Sequence, residues 1–257
     1  MKISLFYKPN KIEPEYIQSL KNKISSFGFE LDDSNPDVVL FVGGDGTFLR
    51  AVHQYLDKLD RVSFVGLNKG HLGFFSSYSN QEDDLLLNDL KNNKVISKSY
   101  RLLKASFAGN EIYAINEIRI ESPFQTLISE VEIDNKQFET FRGSGLVVCS
   151  ALGSSAYNKS LSGAVVSPSL EVMELTEIAP INNRVFSSLK SPLVLDSNSE
   201  IVLKPKTSNV LIGYDHLTIK DDNSEVIKFT LSDKRVSLLC KEDYNYITHL
   251  AKAFIED

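Results

Sequence analysis

The hydrophobic pattern of the chain changes period once, near residue 95, and that change divides the fold into two unlike domains. Before it, short apolar runs alternate with stretches of helical spacing. Ile3 to Tyr7 reads as a strand, Pro14 to Phe27 as a helix with Ile17, Leu20, Ile24 and Phe27 on one face, and Val38 to Val42 as a continuous apolar strand. Thr47 to Leu56 is predicted helical and Val62 to Gly66 extended, followed by a helix over Gln81 to Asn92 whose acidic start suits the positive end of its dipole. Strands separated by helices imply a mostly parallel sheet, so residues 1–96 are expected to form an α/β domain.

From Ser97 to Cys240 the alternation shortens to two. In "SEVEIDNKQFETF" a turn is expected at Asn135-Lys136, and in "EVIKFTLSDKRVSLLC" at Ser232 to Lys234, with Ile227, Phe229 and Leu231 sharing one face. Strands that are apolar on one side must cover that side, which predicts two packed sheets in a β-rich domain over 97–242. The tail, 243–257, returns to helical spacing through Ile247, Leu250, Ala251 and Phe254 and is expected to pack back on the first domain.

Composition narrows the function classes. A chain of 257 residues with 42% hydrophobic and 24% charged residues can bury a core of ordinary globular size. The formal charge of −6 argues against a nucleic-acid surface and leaves small anionic ligands open, because their sites depend on local groups. Cys149 and Cys240 are far apart, with no C-x-x-C pair, so neither a disulfide framework nor a thiolate zinc site is indicated. The start, MKISLFYKPNK, is too short and polar for a signal peptide, and no apolar run approaches the roughly 20 residues of a spanning helix. A soluble cytoplasmic protein with neither nucleic-acid nor membrane partner is the expectation.

The stretch "DVVLFVGGDGTFLRAV", Asp37 to Val52, carries the chemistry. Ligands of parallel sheets bind beyond the carboxyl ends of the strands, where Gly43, Gly44 and Gly46 fall. Thr47 is placed to cap the following helix, whose free N–H groups attract an anion. Neither G-x-G-x-x-G nor a Walker A Gly-Lys is present. A carboxylate about 4 Å from a phosphate is repelled by ~4 kcal/mol at an effective dielectric near 20, so Asp45 is not a phosphate ligand. Two tasks remain for it: taking a proton from an attacking hydroxyl, or organising a divalent cation on the phosphates.

"GGDGT" at 43 to 47 resembles a superfamily of phosphoryl-transfer enzymes that includes NAD kinases, lipid kinases and phosphofructokinases. "GHLGF" at 70 to 74, "INEI" at 115 to 118 and "GSSAYNKSLSGAVVSPSLEVMELTEIAPINNRVF" at 153 to 186 are similar to the bacterial NAD kinase family. The resemblance implies transfer of the γ-phosphoryl of ATP to the adenosine-ribose 2′-hydroxyl of NAD, with Mg²⁺ or another divalent cation accompanying ATP. It implies a Rossmann-like α/β domain joined to a β-sandwich, of the NAD kinase/diacylglycerol kinase type.

By the same resemblance Asp45 is the proton acceptor, with Gly46 beside it, and Asn116 and Glu117 hold the adenosine ribose. Phe74, Ser155, Ala156, Tyr157 and Ser160 surround the adenine and ribose, and His216 belongs to a further polar stretch of the site. Ala179 and Ile181 approach a neighbouring subunit, implying a homo-oligomer, a tetramer or dimer. Gly43, Gly44, Thr47 and Arg50 are candidates for ATP phosphate contacts, and His53 lies on the same helix.

The chain departs from the family at "RGSGL", 142 to 146: Arg142 is kept, but Ser144 stands where an Asp associated with the nicotinamide end is usual. Ser155 replaces a threonine and keeps its hydroxyl. A lipid kinase sharing the glycine loop, and a noncatalytic nucleotide-binding regulator, are the competing classes. The first needs an apolar cleft, and the second has no use for Asp45.

Overall fold

The computed structural model describes residues 1–69, 73–79, 81–221 and 225–255. Of the GHLGF stretch, Gly70, His71 and Leu72 lie outside the described residues. The chain divides into two compact units, one formed by 1–99 with 235–257 and the other by 100–234.

The first unit is the expected α/β layer. Its strands β1 (Lys2–Tyr7), β2 (Glu30–Leu31), β3 (Val38–Val42) and β4 (Ser63–Asn68) lie in the order β2-β1-β3-β4, all parallel, with the two-residue β5 (Tyr78–Ser79) parallel to β4. All five residues of β3 are buried, the signature of a strand covered on both faces. Helix α1 (Pro14–Ser26) begins with proline at its first position and buries Ile17, Leu20 and Ile24 on one stripe. Helices α2 (Asp45–Gln54) and α3 (Asp83–Lys91) follow β3 and β5. Near α2, Phe48 packs on Phe41 and Phe75, with ring centroids at 5.3 and 4.4 Å.

The second unit is a β-sandwich. Strand β6 (Val95–Phe107) enters it, followed by β7 (Asn110–Ala114), β8 (Glu117–Glu121), β9 (Leu127–Ile133), β10 (Lys136–Gly143) and β11 (Gly145–Ser150). The short helix α4 (Tyr157–Ser160) precedes β12 (Val172–Ile178), β13 (Leu193–Asp196), β14 (Ile201–Pro205), β15 (Val210–Tyr214) and β16 (Leu217–Asp221). One sheet has the order β13-β12-β11-β8-β15-β16, and opposite it lie β10-β9-β14 with the first part of β17 (Ile227–Lys241). Their inward side chains form one core containing Ile118, Ile120, Leu146, Val148 and Ile212 from one sheet and Val131, Phe141, Leu203 and Phe229 from the other. The last part of β17 returns to the first unit, where Ser237 and Leu238 pair in parallel with Ser63 and Phe64 of β4. The chain ends in α5 (Tyr246–Phe254), which belongs to the first unit.

Three local expectations are corrected. Thr47 is not the helix cap: α2 starts two residues earlier with Gly44 at the N-cap, and Thr47 is buried in the first turn beside Gly43. Gly43 has φ +143°, so the turn is made by backbone that a side chain would strain. The β9–β10 turn is centred on Asp134 and Asn135, with φ of 50° and 62°, one residue earlier than read. Two successive positive φ values are what a tight hairpin turn requires, and Asp and Asn tolerate them. Ser232 to Lys234 do not turn: β17 continues through them, and Arg101 donates from Nε to the Ser232 carbonyl and from Nη2 to that of Leu231, both at 2.9 Å. A cation from a distant strand satisfies carbonyls that local turn chemistry would otherwise have left to water.

Candidate functional site

In the first unit, the polypeptide leaves buried β3, turns through Gly43 and Gly44, and presents Asp45 as the first residue of α2. The carboxylate accepts two backbone bonds, from Phe74 N to Oδ2 and from Phe75 N to Oδ1, both at 3.2 Å. Burial pushes its pKa up, while these two N–H groups and the nearby His249 draw it down. A base that is held in place and made more basic by burial is suited to proton abstraction. Thr47 is buried, whereas Arg50 is exposed on the following turn of α2. His53 is half-buried on the same helix. Phe74 is half-buried against Tyr246 and Phe254 of α5, with ring centroids at 6.2 and 5.8 Å.

In the second unit, Asn116 and Glu117 sit where β7 passes into β8. The segment is held by Asp215, which accepts from Ile115 N at 3.0 Å and Asn116 N at 2.8 Å, and whose own N–H donates to the Glu117 carbonyl at 3.1 Å. Ser150 holds it from the other side: its N–H donates to the Asn116 carbonyl at 2.9 Å and its hydroxyl to that of Ile115 at 2.6 Å. With the backbone satisfied, the side chains remain available. Asn116 Oδ1 and Glu117 Oε2 are both buried without a hydrogen-bond partner among the described residues. Buried acceptors of this kind are costly unless a ligand completes them.

The Glu117 carboxyl is pushed up to about 7, first by burial and then by Asp215, with Arg119 opposing. Protonated Glu117 is therefore favoured in the fold. Its stabilising contribution is complete below the ordinary value of 4.5 and is lost as pH rises through about 7. For a side chain only 5% exposed, that window is worth on the order of 3 kcal/mol. Glu117→Gln should flatten this component, so denaturant unfolding of the ligand-free protein should give a parent-minus-variant difference that shrinks between pH 5 and pH 8. A pH-independent difference would show that Glu117 does not titrate in this range.

Ser155 and Ala156 lie between β11 and α4, of which Tyr157 is the first residue and Ser160 the last. The Tyr157 ring lies 5.3 Å from the Arg119 guanidinium, and Ser160 Oγ donates to the Tyr157 carbonyl at 2.6 Å. His216 follows Asp215 in the β15–β16 turn. Arg142, Ser144, Ala179 and Ile181 form another neighbourhood. Ile181 N donates to the Arg142 carbonyl at 2.7 Å, Ser144 N donates to that of Ile178 at 2.9 Å, and the Arg142 guanidinium lies 4.3 Å over Phe186. Ser144, Ala179 and Ile181 are all exposed.

Asp215 shares the polar stretch that the resemblance assigns together with His216, but the sequence gives it no role; it has φ 47° and its carboxylate is buried. One residue escaped the sequence reading altogether. Arg119 pairs with Glu121 at 2.8 Å and lies 3.6 Å from Glu117. The period-two spacing Glu117, Arg119, Glu121 could have revealed one charged strand face.

Comparisons with known proteins agree across the whole chain. Residues 1–95 match the ATP-NAD kinase N-terminal domain and residues 115–240 the ATP-NAD kinase C-terminal domain. The chain belongs to the NAD kinase family. The NAD kinase of Leuconostoc citreum is 37% identical, over 100% of this chain and 99% of its own length. That of Latilactobacillus sakei is 39% identical over 99% and 98%, and NAD kinase 1 of Bacillus cereus is 35% identical over both full lengths. The fold is shared with an NAD kinase from Archaeoglobus fulgidus in complex with ATP, at TM-score 0.81 and 21% identity over 98% of both chains. It is also shared with yeast NADH kinase complexed with NADH, at TM-score 0.85 and 16% identity over 100% of this chain and 88% of the other. This family membership removes the lipid-kinase alternative.

Proposed function

We propose that this NAD kinase family member phosphorylates the adenosine-ribose 2′-hydroxyl of NAD with ATP, giving NADP. The observation that carries the reading is a pair of buried acceptors, Asn116 Oδ1 and Glu117 Oε2, without a hydrogen-bond partner among the described residues, at the segment the resemblance assigns to the ribose. Two vicinal hydroxyls are two donors, and an amide oxygen and a carboxylate oxygen on adjacent residues are their complement. Asp45 takes the proton of the attacking hydroxyl. The free N–H groups at the start of α2 favour negative charge on the phosphoryl group, and Arg50 is available to the phosphates. By the resemblance Phe74, Ser155, Ala156, Tyr157 and Ser160 belong to the adenine and ribose contacts, and His216 to a further polar stretch. Arg142 and Ser144 take the nicotinamide end. Incubation with ATP, Mg²⁺ and NAD, followed by an NADP-specific dehydrogenase, tests the reading, and absence of NADP would overturn it.

Mg²⁺ is proposed to arrive on the triphosphate. Among the described residues no group of three or more His, Cys, Asp or Glu is arranged to hold a metal ion, and Mg²⁺ commonly rests on substrate phosphates with few protein ligands. When bound it supplies charge neutralisation at the transferring group. Chelator should abolish turnover while leaving the melting temperature of the nucleotide-free protein unchanged. A large fall in that temperature would reveal a structural metal. A cytoplasmic setting and a homo-oligomer, tetramer or dimer, assembled through the exposed Ala179 to Ile181 segment complete the proposal.

A further inference from the structure

The C-terminal segment of the first unit reaches the base through one peptide unit. Phe75 N–H donates to Asp45 Oδ1 at 3.2 Å, and the carbonyl of that same peptide, Phe74 O, accepts from Tyr244 Oη at 3.3 Å. Donation into a carbonyl polarises the whole amide and makes its N–H a stronger donor, so the three groups act as a chain. The Tyr244 ring is held in turn: His249 packs on it at 4.7 Å, and the His249 Nδ1 lies 3.0 Å from the Asn245 carbonyl. Asn245 caps α5 by accepting from Ile247 N and Thr248 N at 2.9 and 3.2 Å. Among the described residues His249 Nε2 is buried without a hydrogen-bond partner.

We propose that Tyr244 is a positioning residue for Asp45, acting through the Phe74–Phe75 peptide, and that α5 supports it through His249. The catalytic consequence rests on the reading of Asp45 as the general base. Among the described residues, the titratable and charged groups around these hydrogen bonds include His249 on α5, whose charge reaches Asp45, Lys98 on β6, whose ammonium lies 5.4 Å over the Tyr244 ring, and Glu82, Lys241, Asp243 and Lys252, which line the pocket beside Tyr244 and His249.

Tyr244→Phe removes the hydroxyl and keeps the ring. The Asp45 carboxyl carbon, assigned by its loss in Asp45→Asn, can be titrated by ¹³C NMR in the ligand-free protein. Its midpoint should rise by roughly half a pH unit in Tyr244→Phe, because a weakened N–H donor favours the carboxylate less. The kcat should fall roughly threefold to tenfold, with KM for NAD unchanged. Site-specific 3-fluorotyrosine at 244, a stronger donor, should move the midpoint the other way. Parental midpoints in both proteins would overturn the proposal. So would a normal Tyr244→Phe beside an impaired Tyr244→Leu, which would assign the residue to ring packing alone. A shifted midpoint with parental turnover would uphold the positioning role and remove Asp45 as the base.

Discussion

Asp45→Asn is expected to lose 10² to 10⁴-fold in kcat, about 3 to 5 kcal/mol of barrier, the usual contribution of a general base. The substitution keeps shape, but it is not neutral in this structure. Oδ1 and Oδ2 each accept a backbone N–H, from Phe75 and Phe74, and an amide offers one acceptor to those two donors. One N–H is therefore left facing an NH₂ group, at a cost of about 1 to 3 kcal/mol, while removal of a buried carboxylate offsets part of that cost. Thermal stability should move little, and calorimetric affinity for NAD should stay near the parent value. Turnover of Asp45→Asn within a few fold of the parent would remove Asp45 from the chemistry.

Gly153→Ala should act at the other pole of the proposed reaction, on the dinucleotide. A Cβ at Gly153 would overlap the main chain of Asn116, including its carbonyl oxygen, and backbone cannot swing aside as a flexible side chain can. The same carbonyl accepts from Ser150 N, and Gly153 N donates to Ser150 Oγ at 3.1 Å, so displacement would spread through the contacts that hold Asn116. Overpacking of this kind costs about 1 to 3 kcal/mol, and a shift of about 1 Å in a positioning group can cost up to roughly a hundredfold in function. We expect a lowered melting temperature and NAD affinity weakened roughly tenfold or more, with the Asp45 titration midpoint unchanged. Parental stability and affinity in Gly153→Ala would show that this contact does not hold the ribose groups.

Much of the molecule was legible in the chain because local patterns and tertiary demands agree there. The apolar run Val38 to Val42, the stripe Ile17, Leu20, Ile24 and the alternation Ile227, Phe229, Leu231 each become buried, since a period of 3.6 or 2 puts such residues on one face wherever the element packs. The glycine turn with its acid was legible for a related reason. A strand end, three glycines and a helix start are contiguous, so their juxtaposition is covalent.

Where the readings missed, distant residues had decided. Ser232 to Lys234 have turn composition, but they lie within β17, where Arg101 from another strand donates to the Leu231 and Ser232 carbonyls. Thr47 has cap chemistry, but the positive φ of Gly43 starts the helix before it. The sequence by itself determined the two domain classes, the glycine turn and the family resemblance, all properties of short segments or of their order. Only the tertiary structure decided that Phe74 and Phe75 hold Asp45, that Asp215 and Ser150 hold Asn116, and that Tyr244 touches the Phe74 carbonyl. Those partners lie about 30 to 170 residues apart, and a hydrogen bond across such a separation depends on where folding carries both ends, which no local pattern records.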